Sequence, residues 1–374
     1  MKLTLLVTSV FLVSTTCAQT PPYHFKLHKD ALILLGKNEP ADSVLQRLDG
    51  FLQHKREPVG QNPFVDPEYA KANLNPFENF FYPEFENGED NFYKPTVLAV
   101  LPAKRYEQYV IKISYEGVTA DKQAKLSLIG TLVARKTKGT YFIYNAIDYN
   151  TRNWNTRQVG SVSYIYPNKL NLARAWQMDK INHELARKFE TKVLPITYYR
   201  CDDPEQLLKM MGFDYLPGMY ISMNGGFAQY WNNTVLAGNN SELYVHEVVH
   251  FYTLKYFEGL TRIMNEGYAT YIGGSGGLSL KQLGPETKNY IDQHPKADIV
   301  KAYTGFERMD EGHIFTYAVS GLICKDVETR YGFGKIKELF KAHNDDDYFK
   351  ALQNITGIDR QHFADYVKHL ANFN

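Results

Sequence analysis

Apolar residues recur along the first part of the chain at two different periods, and the change of period marks the elements. Between residues 41 and 55, Ala41, Val44, Leu45, Leu48, Phe51 and Leu52 fall three or four apart, the spacing of one face of an amphipathic helix. From Glu57 to Lys94 no period holds. Pro, Asn, Phe and Glu crowd this stretch, with Asn-Pro at 62 and 75 and Pro-Glu at 67 and 83, so it reads as a long irregular segment anchored by aromatics. Alternating or β-rich runs follow at Thr96 to Leu101, Tyr109 to Tyr115, Leu126 to Ala134 and Thr140 to Ile147, joined by turn residues at Glu116-Gly117 and Lys138-Gly139. One helix and then an antiparallel meander predicts an α+β unit, placed at residues 19–155.

The texture changes after Val159. Ser161 to Tyr166 reads as a strand stopped by Pro167, Leu170 to Glu190 as a long helix, and Leu194 to Tyr199 as a strand. Asp203 offers an N-cap to a helix reaching Met210. Met219 to Met223 reads as a further strand, and Phe227 to Leu236 as a hairpin-type stretch after Gly225-Gly226. Beyond Asn240 the chain reads as largely helical. The expected class is therefore α+β, with a second unit over residues 156–374.

The first residues belong to neither unit. Met1 and Lys2 precede an apolar run from Leu3 to Val13, and the small residues Ser14 to Ala18 follow, which is the layout of a secretory signal cleaved after Ala18. Lipid attachment at Cys17 is the alternative, with Thr16 bulkier than such signals usually carry. The expectation is a soluble, exported protein, periplasmic or secreted. No later apolar run is long enough to span a bilayer. The 374 residues carry 42 basic and 41 acidic side chains, a formal net charge of +1, which argues against nucleic acid as partner. Of 3 cysteines, Cys201 and Cys324 would remain after cleavage, too few for a disulfide scaffold, and the sequence leaves their pairing open.

The chemistry lies in Tyr244-Val245-His246-Glu247-Val248-Val249-His250. On a helix, His246 and His250 lie on one face and can both reach a tetrahedral Zn²⁺. Glu247, one residue past the first imidazole, is placed to accept a proton from the water the metal activates without itself becoming a ligand. With 11 His in the chain, chance placement yields such a pattern only about 0.02 times per sequence of this composition. A catalytic zinc needs a third protein ligand and an open position. Glu266 stands sixteen residues after His250, among Ile263, Met264, Tyr268, Ala269 and Ile272. A turn near Glu258-Gly259 between two helices would return it to the histidine pair.

His246-Glu247-x-x-His250 followed by Asn265-Glu266-Gly267-Tyr268-Ala269 resembles the gluzincin metallopeptidases, and among them the peptidase MA-like group, distant relatives of thermolysin and aminopeptidase N. The likeness spans roughly residues 160 to 370. It implies one catalytic Zn²⁺ held by His246, His250 and Glu266, with Glu247 as general base. It further implies a Tyr hydroxyl facing the oxyanion, a role that maps onto Tyr317 in Phe315-Thr316-Tyr317-Ala318, and an edge strand binding extended peptide at Gly225, Gly226 and Phe227.

Other clusters read more plainly. His183-Glu184-Leu185-Ala186-Arg187 imitates the motif, but Arg187 cannot ligate a metal, so it reads as a helix surface. His343 with Asp345, Asp346 and Asp347 reads as a solvated turn or N-cap, and His313, one helical turn before Tyr317, as a surface His or a cleft residue. The leading expectation is an exported zinc-dependent peptide hydrolase acting on a peptide or protein. The alternative is a binding or structural protein that holds zinc on the same scaffold with little or no catalysis.

Overall fold

The computed structural model describes residues 23–73, 76–80, 82–217, 219, 225–229 and 232–372. The expected signal segment 1–18, with Cys17, lies outside these residues. So do residues 220–223 of the strand expected from Met219 to Met223.

The chain opens with a short strand β1 (Lys26–Leu27) and helix α1 (Ala41–His54). Val44, Leu45, Leu48, Phe51 and Leu52 are buried on one face of α1, as their spacing requires. Helix α2 (Pro67–Ala72) is capped by Asp66, which accepts from the Glu68 and Tyr69 amides. The irregular segment around it works as a strap, burying Phe77 and Phe80, with the Phe77 ring 4.7 Å from Phe51. Strands β2 (Lys94–Lys104), β3 (Gln108–Val118), β4 (Ala124–Thr137) and β5 (Thr140–Asn145) form the expected antiparallel meander. The observed strands run longer than the alternating cores, except that Ile147 starts helix α3 (Ile147–Asn150) instead of ending β5.

The remaining strands build a second sheet with one exception. They are β6 (Asn155–Val159), β7 (Val162–Tyr166), β8 (Ile196–Arg200), β9 (Phe213–Tyr215), β10 (Gly225–Gln229) and β11 (Thr234–Gly238). Strand β9 pairs with β4 and so extends the first sheet, burying Phe213 in that sheet's core. The second sheet has the order β10-β11-β8-β7-β6, with parallel pairing at β11/β8 and β8/β7 and antiparallel pairing at both ends. The fold is therefore mixed α+β, with two mixed sheets among the described residues.

Helix α4 (Leu172–Lys188) begins at Asn171, whose side chain accepts from the Arg174 amide, and α5 (Pro204–Met210) begins at Asp203, whose carboxylate accepts from the Gln206 amide at 2.7 Å. From α6 (Val245–Tyr256) the chain is helical: α7 (Arg262–Gly273), α8 (Leu280–Gln293), α9 (Ile299–Thr304), α10 (Phe315–Tyr331), α11 (Phe333–Leu339), α12 (Asp345–Thr356) and α13 (Phe363–Asn372). No helix among the described residues is long and apolar enough to cross a membrane.

Two features place the motif helix. The fully buried Tyr164 and Tyr198 on the second sheet donate hydroxyl protons to the carbonyls of Glu242 and Ser241, pinning the loop that feeds α6. Residues 245–253 of α6 are then all buried, so Val248, Val249 and Phe251 each contribute on the order of 1.5–3 kcal/mol by leaving water. Helix α10 is buried nearly all round and packs on α7. Gly267 permits that approach, because a Cβ there would lie 2.3 Å from Ser320 Cβ.

The two remaining cysteines do not pair. Cys201 sits beside Met210 under the second sheet and Cys324 lies inside α10, in different cores, and both are free. Burial pushes the Cys201 thiol up to about 12 and the Cys324 thiol up as well. The imitation motif is on the surface of α4, with His183, Glu184 and Arg187 exposed. Asp345 to Asp347 occupy the first turn of α12 behind the Asn344 cap, where helix amides favour acidic side chains.

Candidate metal centre

Helix α6 presents His246 and His250 one turn apart, with ring centroids 4.9 Å from each other. The chain turns at Gly259 and returns as α7, which brings Glu266 between them. Glu266 Oε2 lies 3.2 Å from His246 Nε2 and 3.8 Å from His250 Nε2. The donor atoms of these three residues lie within 4.8 Å of one another, and both histidines are buried. Ligands about 2.05 Å from a tetrahedral metal are separated by about 3.3 Å, so the cluster is of the right size to close on one ion.

The outer hydrogen bonds settle which nitrogens face inward. His246 Nδ1 donates to the Gly274 carbonyl at 2.7 Å, and His250 Nδ1 donates to Asn265 Oδ1 at 3.0 Å. Each Nδ1 therefore carries a proton, which leaves each Nε2, directed toward Glu266, as the nitrogen available to a metal. Thr253 also donates to Asn265 Oδ1, at 2.7 Å, which holds the carboxamide in place. Gly274 reaches His246 because it adopts a φ of 77°, a left-handed turn just past the end of α7.

The electrostatics suit a cation. Burial works against charge on His246, but Glu266, Glu247 and the Gly274 carbonyl outweigh it and hold the imidazole above its ordinary value. Burial and the neighbouring His246 press His250 down to about 4. Burial opposes ionisation of Glu266 too, yet the two histidines and Arg262 hold its carboxyl below the usual range. A divalent ion entering the cluster would compete with protons for these nitrogens and carboxylate oxygens. The donor set, its size and its fixed tautomers all fit a bound metal.

Glu247 stands outside this group. Its carboxyl is buried and lines the same cleft, where burial pushes it up to about 7 and Glu266 adds to the rise. His246, the Tyr244 hydroxyl and the Ala228 amide pull in the opposite direction without cancelling it. Tyr317 is half-buried at the cleft on α10. Its hydroxyl accepts a hydrogen bond from Arg262 Nη2 at 3.1 Å, and burial and the nearby Glu266 raise its pKa.

The cleft has a volume of about 870 Å³. Gly225, Gly226 and Ala228 of β10 form one wall, and the turn from Gly273 to Ser279 forms another. Phe227 pairs through its backbone with Leu236, and its side chain lies outside the described ones. Among the described residues, strand β10 is the edge of its sheet, bonded to β11 alone. His313 pairs with Glu286 at 2.9 Å and is not among the cleft-lining residues.

Four contributors were not read from the sequence. Asn265 stands next to Glu266, and its position was the available signal. Gly274 is the second residue of the Gly273-Gly274 pair, which marks a helix end. Tyr244 and Arg262 had no signal at all, since their contacts depend on tertiary placement. Compared with known proteins, the sequence matches no family model and no curated protein at a significant level.

Proposed function

We propose that the chain is an exported zinc-dependent hydrolase of peptide bonds. The observation that supports this most is the position of Glu247: buried on the cleft beside His246, His250 and Glu266, but outside their converging donor set. Two imidazoles and one carboxylate are a common donor set for a zinc site that keeps a position open. When bound, the zinc would supply a Lewis acid and lower the pKa of a water at the site.

The other steps fall to the chain's own groups. His246, His250 and Glu266 hold the ion. Glu247 takes a proton from the attacking water and later delivers it to the leaving nitrogen. Tyr317 donates its hydroxyl proton to the carbonyl oxygen as negative charge develops there, a contribution of order 10²–10³ in rate. The outer edge of β10, unpaired among the described residues, offers backbone groups to an extended peptide, giving affinity with little sequence choice. The resemblance to gluzincin peptidases supports the same assignment.

The test is cleavage of an internally quenched peptide library by the zinc-loaded protein and by Glu247→Gln. The wild type should cut a subset of the peptides and Glu247→Gln should retain zinc but lose most turnover. A zinc-loaded wild type that cuts none would favour a binding protein on this scaffold.

A further inference from the structure

Arg262 is the first residue of α7 and lies one helical turn before Glu266. A guanidinium has donors and no acceptor, so its 3.1 Å contact to Tyr317 can have only one polarity: Arg262 donates and the phenol oxygen accepts. The single phenol proton must then point elsewhere. It is left for an acceptor in the cleft, which Tyr317 lines together with Glu266.

A second feature holds Arg262 itself. Its guanidinium lies over the Phe306 ring, 4.4 Å from the centroid, and that ring stands edge-on to Tyr317 at 6.3 Å and 90°. Phe306 adopts a φ of 56°, a left-handed conformation that a bulky side chain rarely takes. Such strain persists only where the surroundings over-determine it, and it gathers at functional sites. The Glu307 amide bonded to the Ala302 carbonyl at 3.1 Å fixes this turn. Three separate segments, α7, the turn after α9 and α10, thus meet around Tyr317.

We propose that Arg262 is a positioning residue for the hydrolysis, clamping Tyr317 so that its proton faces the substrate carbonyl and polarising that O–H into a stronger donor. This rests on the hydrolase reading above. During reaction the developing oxyanion takes the phenol's proton as a hydrogen bond, while Arg262 continues to occupy the phenol's acceptor side.

The experiment compares wild type, Arg262→Met, Arg262→Lys, Tyr317→Phe and the Arg262→Met/Tyr317→Phe double variant, on the quenched peptide that the wild type cuts fastest. Arg262→Met should lower kcat about 10–100-fold with KM within about twofold, and it should cost nothing further in the Tyr317→Phe background. Arg262→Lys should recover part of the loss, since it keeps charge and one donor.

An independent readout uses the metal-free protein with ¹³Cζ-labelled tyrosine at fixed neutral pH. The Tyr317 resonance, identified by its loss in Tyr317→Phe, should move in Arg262→Met. An unmoved resonance, an unchanged kcat, or equal losses with and without the phenol would each overturn the clamp. A moved resonance with no cleavage by the wild type would instead overturn the hydrolase reading and leave Arg262 no reaction to position.

Discussion

Replacing Asn265 by Ala removes no proposed metal ligand, yet it should weaken metal binding. Asn265 Oδ1 accepts from two donors, His250 Nδ1 at 3.0 Å and Thr253 Oγ1 at 2.7 Å. Thr253 is fully buried, but its hydroxyl has fallback acceptors in the Val249 and His250 carbonyls at 3.3 and 3.5 Å. His250 Nδ1 has no second acceptor among the described residues, and the side chain is only 7% exposed. Its imidazole then loses its orientation and its fixed tautomer, or keeps them with a buried donor unmade at a cost of about 1–3 kcal/mol. Either way metal affinity should fall about 10–100-fold, equivalent to about 1.4–2.8 kcal/mol.

The assay is zinc competition against a chromophoric chelator at fixed pH, paired with thermal melts with and without zinc. The stabilisation gained from saturating zinc should shrink by the same amount as the binding energy. Asn265→Asp keeps an acceptor at both contacts and should bind zinc within about tenfold of wild type. An Asn265→Ala protein whose zinc affinity equals that of wild type would refute the claim that the outer hydrogen bonds set the histidines' orientation.

Three further outcomes are expected. Glu247→Gln should bind zinc within a few-fold of wild type while kcat falls about 10²–10⁴-fold, measured on the same preparation by elemental analysis and peptide cleavage. Gly267→Ala, which would stabilise an exposed helix by up to about 1 kcal/mol, should instead destabilise by about 1–3 kcal/mol because its Cβ meets Ser320 at 2.3 Å; urea melts read the sign, and Ser320→Gly in the same chain should recover part of the loss. Cys201 and Cys324 should resist a thiol reagent in the folded protein and both react in denaturant without reductant, whereas a disulfide between them would leave neither thiol available.

The legible parts of this fold are those governed by local periodicity. Helix α1 shows its apolar face at residues 44, 45, 48, 51 and 52, and Asp203 caps its helix through a contact only three residues away. Strand β9 escaped notice because three residues are too few for a period, and its partner β4 is distant in sequence. The candidate site divides in the same way. His246, Glu247 and His250 stand out because a helix alone fixes their spacing. Glu266 could be reached through its spacing and apolar neighbours, since only a helix and a turn intervene. Tyr244 and Arg262 act through contacts set by how α6, α7, α10 and β10 pack, and no residue pattern announces them, whereas Gly274 is marked by the Gly-Gly pair that ends α7.

The central claim, that His246, His250 and Glu266 hold one zinc ion, is tested most directly by elemental analysis of the purified chain beside His246→Ala. The account predicts about one zinc per wild-type chain, and a His246→Ala protein that folds but retains less than about a tenth of it. A wild type that takes up no zinc on reconstitution, or a His246→Ala protein that keeps a full equivalent, would contradict it.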